Sequence, residues 1–480
     1  MQRARCLIEH KFQFFLDLIK VYVYTIFLYA MRELFGTDGI RGIANEYPIT
    51  PEVALRIGRA VARVLKAQRS GRHKVVIGKD TRVSGYMLET ALTSGLVSEG
   101  ARVLLTGPIP TPAVAHITKS MACDAGIMLT ASHNPYADNG IKIFGPDGYK
   151  LNDALEAEIE AIIKGEAPTP NKDIRLGKAF RIDDATGRYI EFAKGSIGSM
   201  NLRGLKVVVD SAHGAGYHVA PLIFDELGAE VIKIGSAPDG YNINEGYGSL
   251  HPEKAAKLVK SEGADLGICL DGDADRVIFV DGNGEVLSGD RVLCLCAKAL
   301  KASGKLRGDT LVSTVMSNLG LRDALAEDGI SLEQTNVGDR HVLERMREGG
   351  FSFGGENSGH LIFSDFATTG DGIVSALMVL SFLKESGNSL AGLADCMTEY
   401  PQVLVNMPVS QKPPLQKVPE IMAAIETANQ TLGDNGRTLV RYSGTEKKLR
   451  ILVEAKDPGL ANSLSESIVA VANKTIGWPC

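Results

Sequence analysis

No run in this sequence is apolar for long enough to cross a bilayer. The nearest approach, residues 12–30, is interrupted by Gln13, Asp17 and Lys20. Its clean part, residues 21–30, falls well short of the ~20 apolar residues that a spanning helix needs. A basic start and apolar centre give the segment the look of a signal, but no small-residue cleavage site follows. Met31 stands directly before a coherent motif, so the expectation is that Met31 is the natural start and residues 1–30 are a non-native or disordered extension. A membrane anchor is the alternative, and no stable membrane association is expected. Strong charge is also missing. A net charge of -5 gives no broad attraction for nucleic acid or anionic lipid, so no nucleic-acid partner is expected and any phosphorylated substrate must be held by local basic pockets. The seven cysteines are odd in number and form no framework, which points to reduced thiols in a cytoplasm. Cys294 and Cys296 lie in an apolar stretch and read as buried helix packing, not as a metal or redox pair.

What is present is ordinary globular material, 44% hydrophobic and 23% charged, in a chain of 480 residues that exceeds what one core can organise. One pattern recurs. Lys74-Val75-Val76-Ile77-Gly78-Lys79-Asp80 reads as a strand, then a Ser-Gly-Tyr turn and a helix lead to a second strand at residues 101–105. Lys206-Val207-Val208-Val209-Asp210 repeats it through Gly214-Ala215-Gly216 to residues 228–232. A weaker copy starts at Thr310-Leu311-Val312-Ser313-Thr314 and returns at Ile330. Three copies of strand, turn, helix and strand predict three related α/β domains with mixed, mostly parallel sheets. Gly214-Ala215-Gly216 lacks the rest of a dinucleotide fingerprint and is better explained by a tight turn. The tail mixes strands and helices around Ser443-Gly444-Thr445 and predicts a C-terminal α+β domain. The expected divisions are 1–30, 31–183, 184–287, 288–398 and 399–480.

Chemistry concentrates where apolar strands end. Ser132, in Thr130-Ala131-Ser132-His133-Asn134-Pro135, follows the buried-strand pattern of residues 125–129, where a hydroxyl can face a cleft. Far downstream another apolar run ends in Asp271-Gly272-Asp273-Ala274-Asp275-Arg276. Alternate residues of an extended chain point the same way, so Asp271, Asp273 and Asp275 can converge on one hard cation. Few ligands and three carboxylates favour Mg²⁺ over Ca²⁺, with a serine phosphate oxygen at Ser132 as a further ligand. A hydroxyl nucleophile beside a carboxylate-held metal suits phosphoryl transfer. A turn serine and an acidic loop are the plain alternatives for either motif alone. Arg276 is placed to orient a carboxylate or contact phosphate, and Lys142 returns to the same cleft in Gly140-Ile141-Lys142. The run Glu356-Asn357-Ser358-Gly359-His360 offers a carboxylate, amide, hydroxyl and imidazole, the alternation that sugar hydroxyls require. Arg441, Ser443, Gly444 and Thr445, with Arg450 on the next strand, combine guanidinium, hydroxyls and backbone amides into a seat for a substrate phosphate.

These ordered loops together resemble the α-D-phosphohexomutase family, and the match runs over residues 31–456. The opening Leu34-Phe35-Gly36-Thr37-Asp38-Gly39-Ile40-Arg41-Gly42 and the polar third position of Gly355-Glu356-Asn357-Ser358-Gly359-His360 resemble the phosphoglucosamine mutase branch most closely. The resemblance implies four domains around a central cleft, a phosphoserine at Ser132 and one Mg²⁺ per chain on Asp271, Asp273 and Asp275. It implies that Arg41 and Lys142 assist phosphoryl and proton transfer and that His360 lies close to the reacting end. Glu356, Asn357 and Ser358 then read the sugar, and Arg441, Ser443, Gly444, Thr445 and Arg450 hold the distal phosphate. The implied activity interconverts glucosamine 6-phosphate and glucosamine 1-phosphate through a 1,6-bisphosphate, with a homodimer admitted as the assembly. Lys447 departs from the proline usual after Thr-Glu, and it leaves the loop exit freer. The alternatives are a phosphomannomutase or phosphoglucomutase of the same family, a phosphatase with Asp271 as nucleophile, and a non-catalytic sugar-phosphate or Ca²⁺-binding protein.

Overall fold

The structure is a computed structural model and describes residues 34–36, 38–165, 175–443 and 447–477. The expected extension at residues 1–30 lies outside the described residues, as do Gly444 and Thr445. The strands of the first sheet are β1 (Ile40–Ile43), β2 (Lys74–Lys79), β3 (Arg102–Pro108), β4 (Ala125–Leu129), β5 (Asp138–Phe144) and β6 (Lys178–Arg181). A second sheet holds β7 (Lys206–Asp210), β8 (Glu230–Ile234), β9 (Leu266–Leu270) and β10 (Val277–Asp281). A third holds β11 (Thr310–Thr314), β12 (Ser331–Thr335), β13 (Phe353–Gly355) and β14 (Leu361–Phe363).

The strand orders reveal the repeat that the sequence announces. The second sheet runs β10-β9-β7-β8 and the third β12-β11-β13-β14, while the first contains β5-β4-β2-β3 flanked by β1 and β6. Each copy has a parallel centre and one antiparallel hairpin at its edge: β4 with β5, β9 with β10, and β13 with β14. β4 and β9 are buried at every residue, which is why they read as unbroken apolar runs instead of alternating ones. The loop inside each hairpin is therefore the same structural position three times. Ser132 occupies it in the first copy, the aspartates in the second and Glu356-Asn357-Ser358-Gly359-His360 in the third.

Helices seal the first sheet. Helix Pro51–Gln68 starts on Thr50, whose side chain accepts the Val53 N–H, with proline in its first turn, where no N–H partner is lost. It crosses helix Ser84–Ser98 at two glycines. A Cβ on Gly58 would sit 2.4 Å from the Leu92 carbonyl oxygen, and one on Gly95 would sit 2.2 Å from that of Leu55. That close approach brings Ile57, Val61, Leu88 and Leu92 into one core with Ile77 and Ile127 of the sheet.

Compactness divides the described residues into two units, one running to Val315 with Glu333–Ala394 and the other comprising Met316–Leu332 and the residues from Asp395 onward. The third repeat, the weakest in sequence, is thus split. Its helix Leu319–Glu327 belongs with the second unit, where buried Glu454 accepts the Leu319 N–H at 2.6 Å and the Arg437 Nε–H at 2.8 Å. The second unit is otherwise an antiparallel sheet of β15 (Gln402–Pro408), β16 (Gly436–Tyr442) and β17 (Lys448–Ala455), ordered β15-β17-β16. Helices Pro419–Leu432 and Pro458–Ile476 pack on it as the expected α+β domain. Cys294 and Cys296 lie buried in helix Gly289–Ala302, as their apolar surroundings imply. Among the described residues no helix is long and apolar enough to cross a membrane.

Candidate active site

The Ser132 loop is held by one buried guanidinium. Arg82, wholly excluded from solvent, follows β2 and donates from Nη2 to the carbonyl oxygens of Ser132 (3.0 Å) and Asn134 (2.8 Å). Its Nη1 donates to the carbonyls of Pro135 and Asp138, and its Nε reaches Asp80 Oδ2 at 2.8 Å. Asn244 Nδ2 donates to the Ser132 and Asn134 carbonyls as well, each at 2.9 Å. With its carbonyl so anchored, Ser132 adopts a left-handed backbone (φ 52°), which non-glycine residues seldom take. Its hydroxyl then faces the second hairpin loop and donates to Asp271 Oδ2 at 2.6 Å.

The three aspartates do converge. One ligand oxygen from each of Asp271, Asp273 and Asp275 lies within 4.8 Å of the others, and all three residues are buried. Thr111, at the start of helix Thr111–Ser120, ties the loop down. Its N–H meets the Asp273 carbonyl at 3.0 Å and its hydroxyl meets Asp273 Oδ2 at 2.6 Å. Lys142 Nζ lies 2.9 Å from Asp273 Oδ2, 3.2 Å from Asp275 Oδ2 and 3.4 Å from Asp38 Oδ2. Burial alone would lower this ammonium, but the three carboxylates outweigh it and hold Lys142 well above the usual lysine range. Asp273 is held below the carboxylate range despite burial, because Lys142 and the Thr111 hydroxyl favour its charged form. Burial and the charges of Asp275 and Asp273 instead push Asp271 well up. The residues fit a hard dication: Asp273 Oδ1 and Asp275 Oδ1 are buried without a hydrogen-bond partner, and a cation among the oxygens would relieve the repulsion felt by Asp271.

Cationic groups face the same place. Arg41 on β1 bonds Asp38 through Nη2, and its Nε is buried with no hydrogen-bond partner. Arg276 Nε is in the same state, 3.8 Å from Asp275 Oδ1. Two unsatisfied guanidinium N–H groups, one on Arg41 and one next to Asp275, are donors suited to an anionic group with several oxygens. His133 Nδ1 is 3.4 Å from the Ser132 hydroxyl, and burial together with Arg276 and Arg41 depresses its pKa to about 4, so the ring is neutral at physiological pH.

The third hairpin loop is anchored onto the second. The Val277 N–H bonds the Gly359 carbonyl at 3.0 Å, and a Cβ on Gly359 (φ 88°) would lie 2.4 Å from the Val277 carbonyl oxygen. Only glycine fits that approach. Within the turn, the Glu356 N–H bonds the His360 carbonyl at 2.9 Å and Glu356 Oε1 accepts the Gly338 N–H at 3.1 Å. Glu356 and Asn357 are half-buried, Ser358 is exposed and His360 is buried, with its Nε2 3.6 Å from Asp339 Oδ2. One unit therefore brings together Ser132, Arg41, Lys142 and the three aspartates, with the Glu356–His360 turn fixed to β10 just beyond them.

Four models of one family cover this chain. Those for domains I, II and III of phosphoglucomutase/phosphomannomutase match residues 32–169, 187–284 and 288–400, and that for its C-terminal domain matches 404–471. The chain belongs to the phosphoglucomutase/phosphomannomutase family. A phosphoglucosamine mutase of Syntrophotalea carbinolica is 52% identical over 450 residues, covering 93% of this chain and 98% of its own. One of Geobacter metallireducens is 51% identical over 450 residues, with 93% and 100% covered. Among solved structures, a family protein from Burkholderia thailandensis superposes with a TM-score of 0.77 at 25% identity, covering 91% of this chain and 97% of that one. An Aspergillus fumigatus N-acetylphosphoglucosamine mutase, solved with GlcNAc-6P and magnesium, shares the fold at a TM-score of 0.64 and 16% identity, over 93% and 96%.

The second unit carries the remaining candidates. Arg441 on β16 and Arg450 on β17 are directly paired across the strands. Burial and the charge of Arg450 lower the pKa of Arg441. Ser443 is buried and its carbonyl accepts Lys412 Nζ at 2.7 Å. Sequence reasoning assigned no role to Asp38, Arg82, Thr111 or Lys412. Asp38 stood inside the opening motif and Arg82 directly after a strand, but the partners of Thr111 and Lys412 are distant in the chain and no local pattern marks them.

Proposed function

We propose that this protein interconverts glucosamine 6-phosphate and glucosamine 1-phosphate as a phosphoserine enzyme. The observation that carries the reading is the Ser132 hydroxyl, 2.6 Å from Asp271 Oδ2, one of three buried aspartates whose oxygens converge within 4.8 Å. The phosphoglucosamine mutases that match nearly the whole chain supply the substrate class. In the first half-reaction the bond from phosphorus to Ser132 Oγ breaks as one forms to O1 of the sugar, and the O1 proton passes by way of a base to the leaving Oγ. In the second, with the bisphosphate turned end for end, the bond from phosphorus to O6 breaks as one forms to Oγ, and the Oγ proton passes to O6. Asp271, Asp273 and Asp275 would hold Mg²⁺, which would offset charge on the transferring group. Lys142 and Arg41 offer positive charge and N–H donors next to that group. His360, with Glu356, Asn357 and Ser358, faces the sugar. Arg441, Ser443, Gly444, Thr445 and Arg450 seat the phosphate that stays behind, by the fork geometry that suits two phosphate oxygens.

Comparing kcat/KM for the 6-phosphates of glucosamine, glucose and mannose tests the assignment. Glucosamine 6-phosphate should lead by at least an order of magnitude, the scale set by a hydrogen bond to one substrate group. A lead for either neutral sugar would transfer the protein to the other branch of its family.

A further inference from the structure

A line of alternating charge runs from the Lys142 cluster to His360. Asp38 Oδ2 faces Lys142 Nζ at 3.4 Å, and its Oδ1 lies 2.5 Å from Nζ of Lys150. The same ammonium lies 2.6 Å from Asp339 Oδ2, and that oxygen is 3.6 Å from His360 Nε2. Lys150 reaches this point because its backbone bridges Phe144 just beyond β5, in the turn where the Gly145 N–H bonds the Tyr149 carbonyl at 2.8 Å. Asp339 opens the helix Asp339–Gly349, so its position also fixes where that helix begins. The Lys150 side chain is only 9% exposed, too buried for water to stand in for either carboxylate. Both ring nitrogens of His360 are buried with no hydrogen-bond partner, and the 3.6 Å approach of Nε2 to Asp339 Oδ2 is the polar contact that bears on its orientation. A second clasp lies alongside: the side chain of Arg340, next in the chain to Asp339, reaches Asp153 Oδ1 (2.5 Å), Glu156 Oε1 (2.7 Å) and the carbonyl of Leu151 (3.1 Å).

We propose that Lys150 is a positioning residue that sets the placement of His360 relative to Lys142 and Arg41, by holding Asp38 and Asp339 on one ammonium. The proposal rests on the reading of His360 as a group at the reacting end of the sugar. Without the cation, two half-buried carboxylates face each other, and their separation carries Asp339 away from His360 at one end and Asp38 away from Lys142 and Arg41 at the other. A misplacement of this size near reacting atoms costs rate more than binding, on the order of a hundredfold for ~1 Å.

The test is a set of variants of the full chain assayed as mutase: Lys150→Met, Lys150→Arg, Asp339→Asn, the double variant Lys150→Met with Asp339→Asn, and Arg340→Met. Lys150→Met should lose about ten- to a hundredfold in kcat with KM within about threefold. Lys150→Arg should recover most of that loss. Asp339→Asn should cost little more once Lys150 is gone, because the two residues act through one contact. Arg340→Met, which breaks the neighbouring clasp, should lower thermal stability and leave kcat within about threefold. The imidazole resonances of His360 give a readout free of turnover. They should shift in Lys150→Met and Asp339→Asn alike and stay in place in Arg340→Met. Additive losses, an Arg340→Met kcat as low as that of Lys150→Met, or an unmoved His360 in Lys150→Met overturns the proposal. A chain without mutase turnover whose His360 still responds to Lys150 overturns the assigned reaction and leaves the positioning role standing.

Discussion

Loss of Arg82 would strip a buried loop of most of its side-chain support. The Arg82 side chain satisfies the carbonyls of Ser132, Asn134, Pro135 and Asp138 and neutralises Asp80, all without solvent contact. Arg82→Met keeps most of the volume and removes every one of these contacts. Breaking a buried ion pair by deleting one partner costs about 3–5 kcal/mol, and two of the orphaned carbonyls keep Asn244 as a donor. In a chain of several domains a single global unfolding energy is poorly defined, so the measurement belongs in the loop itself. Hydrogen exchange over residues 125–144 reports it, through amides such as Ser132 (to Thr130 Oγ1, 2.9 Å) and Asn134 (to the Ala131 carbonyl, 3.1 Å). Protection of these amides should fall by ~10²- to 10³-fold. The sign with pH is also fixed. Burial already raises the Asp80 pKa against the opposing pull of Arg82, so without Arg82 the folded state favours protonated Asp80 still more. The variant's deficit should therefore grow as pH rises and shrink as it falls. Unchanged protection in the variant, or a deficit that grows toward acid pH, would refute the reasoning.

Asp273→Asn keeps the shape of the second loop and removes the charge shared by Lys142 and the cation site; Mg²⁺ affinity by calorimetry should weaken and turnover fall by about a hundredfold or more, whereas equal affinity would mark the loop as structural. Arg441→Ala removes one of two facing guanidiniums and should reduce kcat/KM by roughly ten- to a hundredfold while more bisphosphate escapes per turnover; both quantities at wild-type level would exclude β16 from substrate binding. Asp371 caps helix Gly372–Ser386, and burial raises its pKa from 3.8 to about 6 against the Val374 and Ile373 N–H groups and the Tyr189 hydroxyl. The folded state thus holds that proton more tightly than the unfolded chain, and this group's contribution to stability falls as pH rises from about 4 to 6, by roughly 3 kcal/mol in all. Thermal melts of metal-free Asp371→Asn should lose that slope relative to wild type, and an identical slope would remove Asp371 as its source.

The sequence exposed the parts of the fold that follow from local pattern. Strands buried on both faces, such as residues 125–129 and 266–270, are apolar throughout, and the polar loops that follow them stand out by contrast. The Asp-x-Asp-x-Asp spacing singled out Asp271, Asp273 and Asp275, and their oxygens do lie together, but they are gathered by a turn in which the Ala274 N–H bonds the Asp271 carbonyl and Ala274 is left-handed (φ 57°), not by the alternation of an extended chain. The common hairpin position of the three chemical loops was not visible, because β-pairing partners depend on contacts that no local run encodes. The line through Asp38, Lys150 and Asp339 was hidden for the same reason: Lys150 and Asp339 lie 189 residues apart and each reads alone as a solvated surface charge. The third repeat was faint for a physical cause, since its helix Leu319–Glu327 takes its N-terminal support from Glu454 and its Asn318 cap from contacts with Tyr400.

The central claim is that Ser132 carries the phosphoryl group between the two ends of a hexosamine phosphate. Its most direct test is intact-mass and peptide mapping of purified protein after turnover on glucosamine 6-phosphate, with Ser132→Ala treated identically. One phosphate per active chain, located on Ser132, is expected, with both the phosphate and nearly all mutase turnover absent from the alanine variant. Full turnover in Ser132→Ala, or a phosphate found only on another residue such as Asp271, would contradict it.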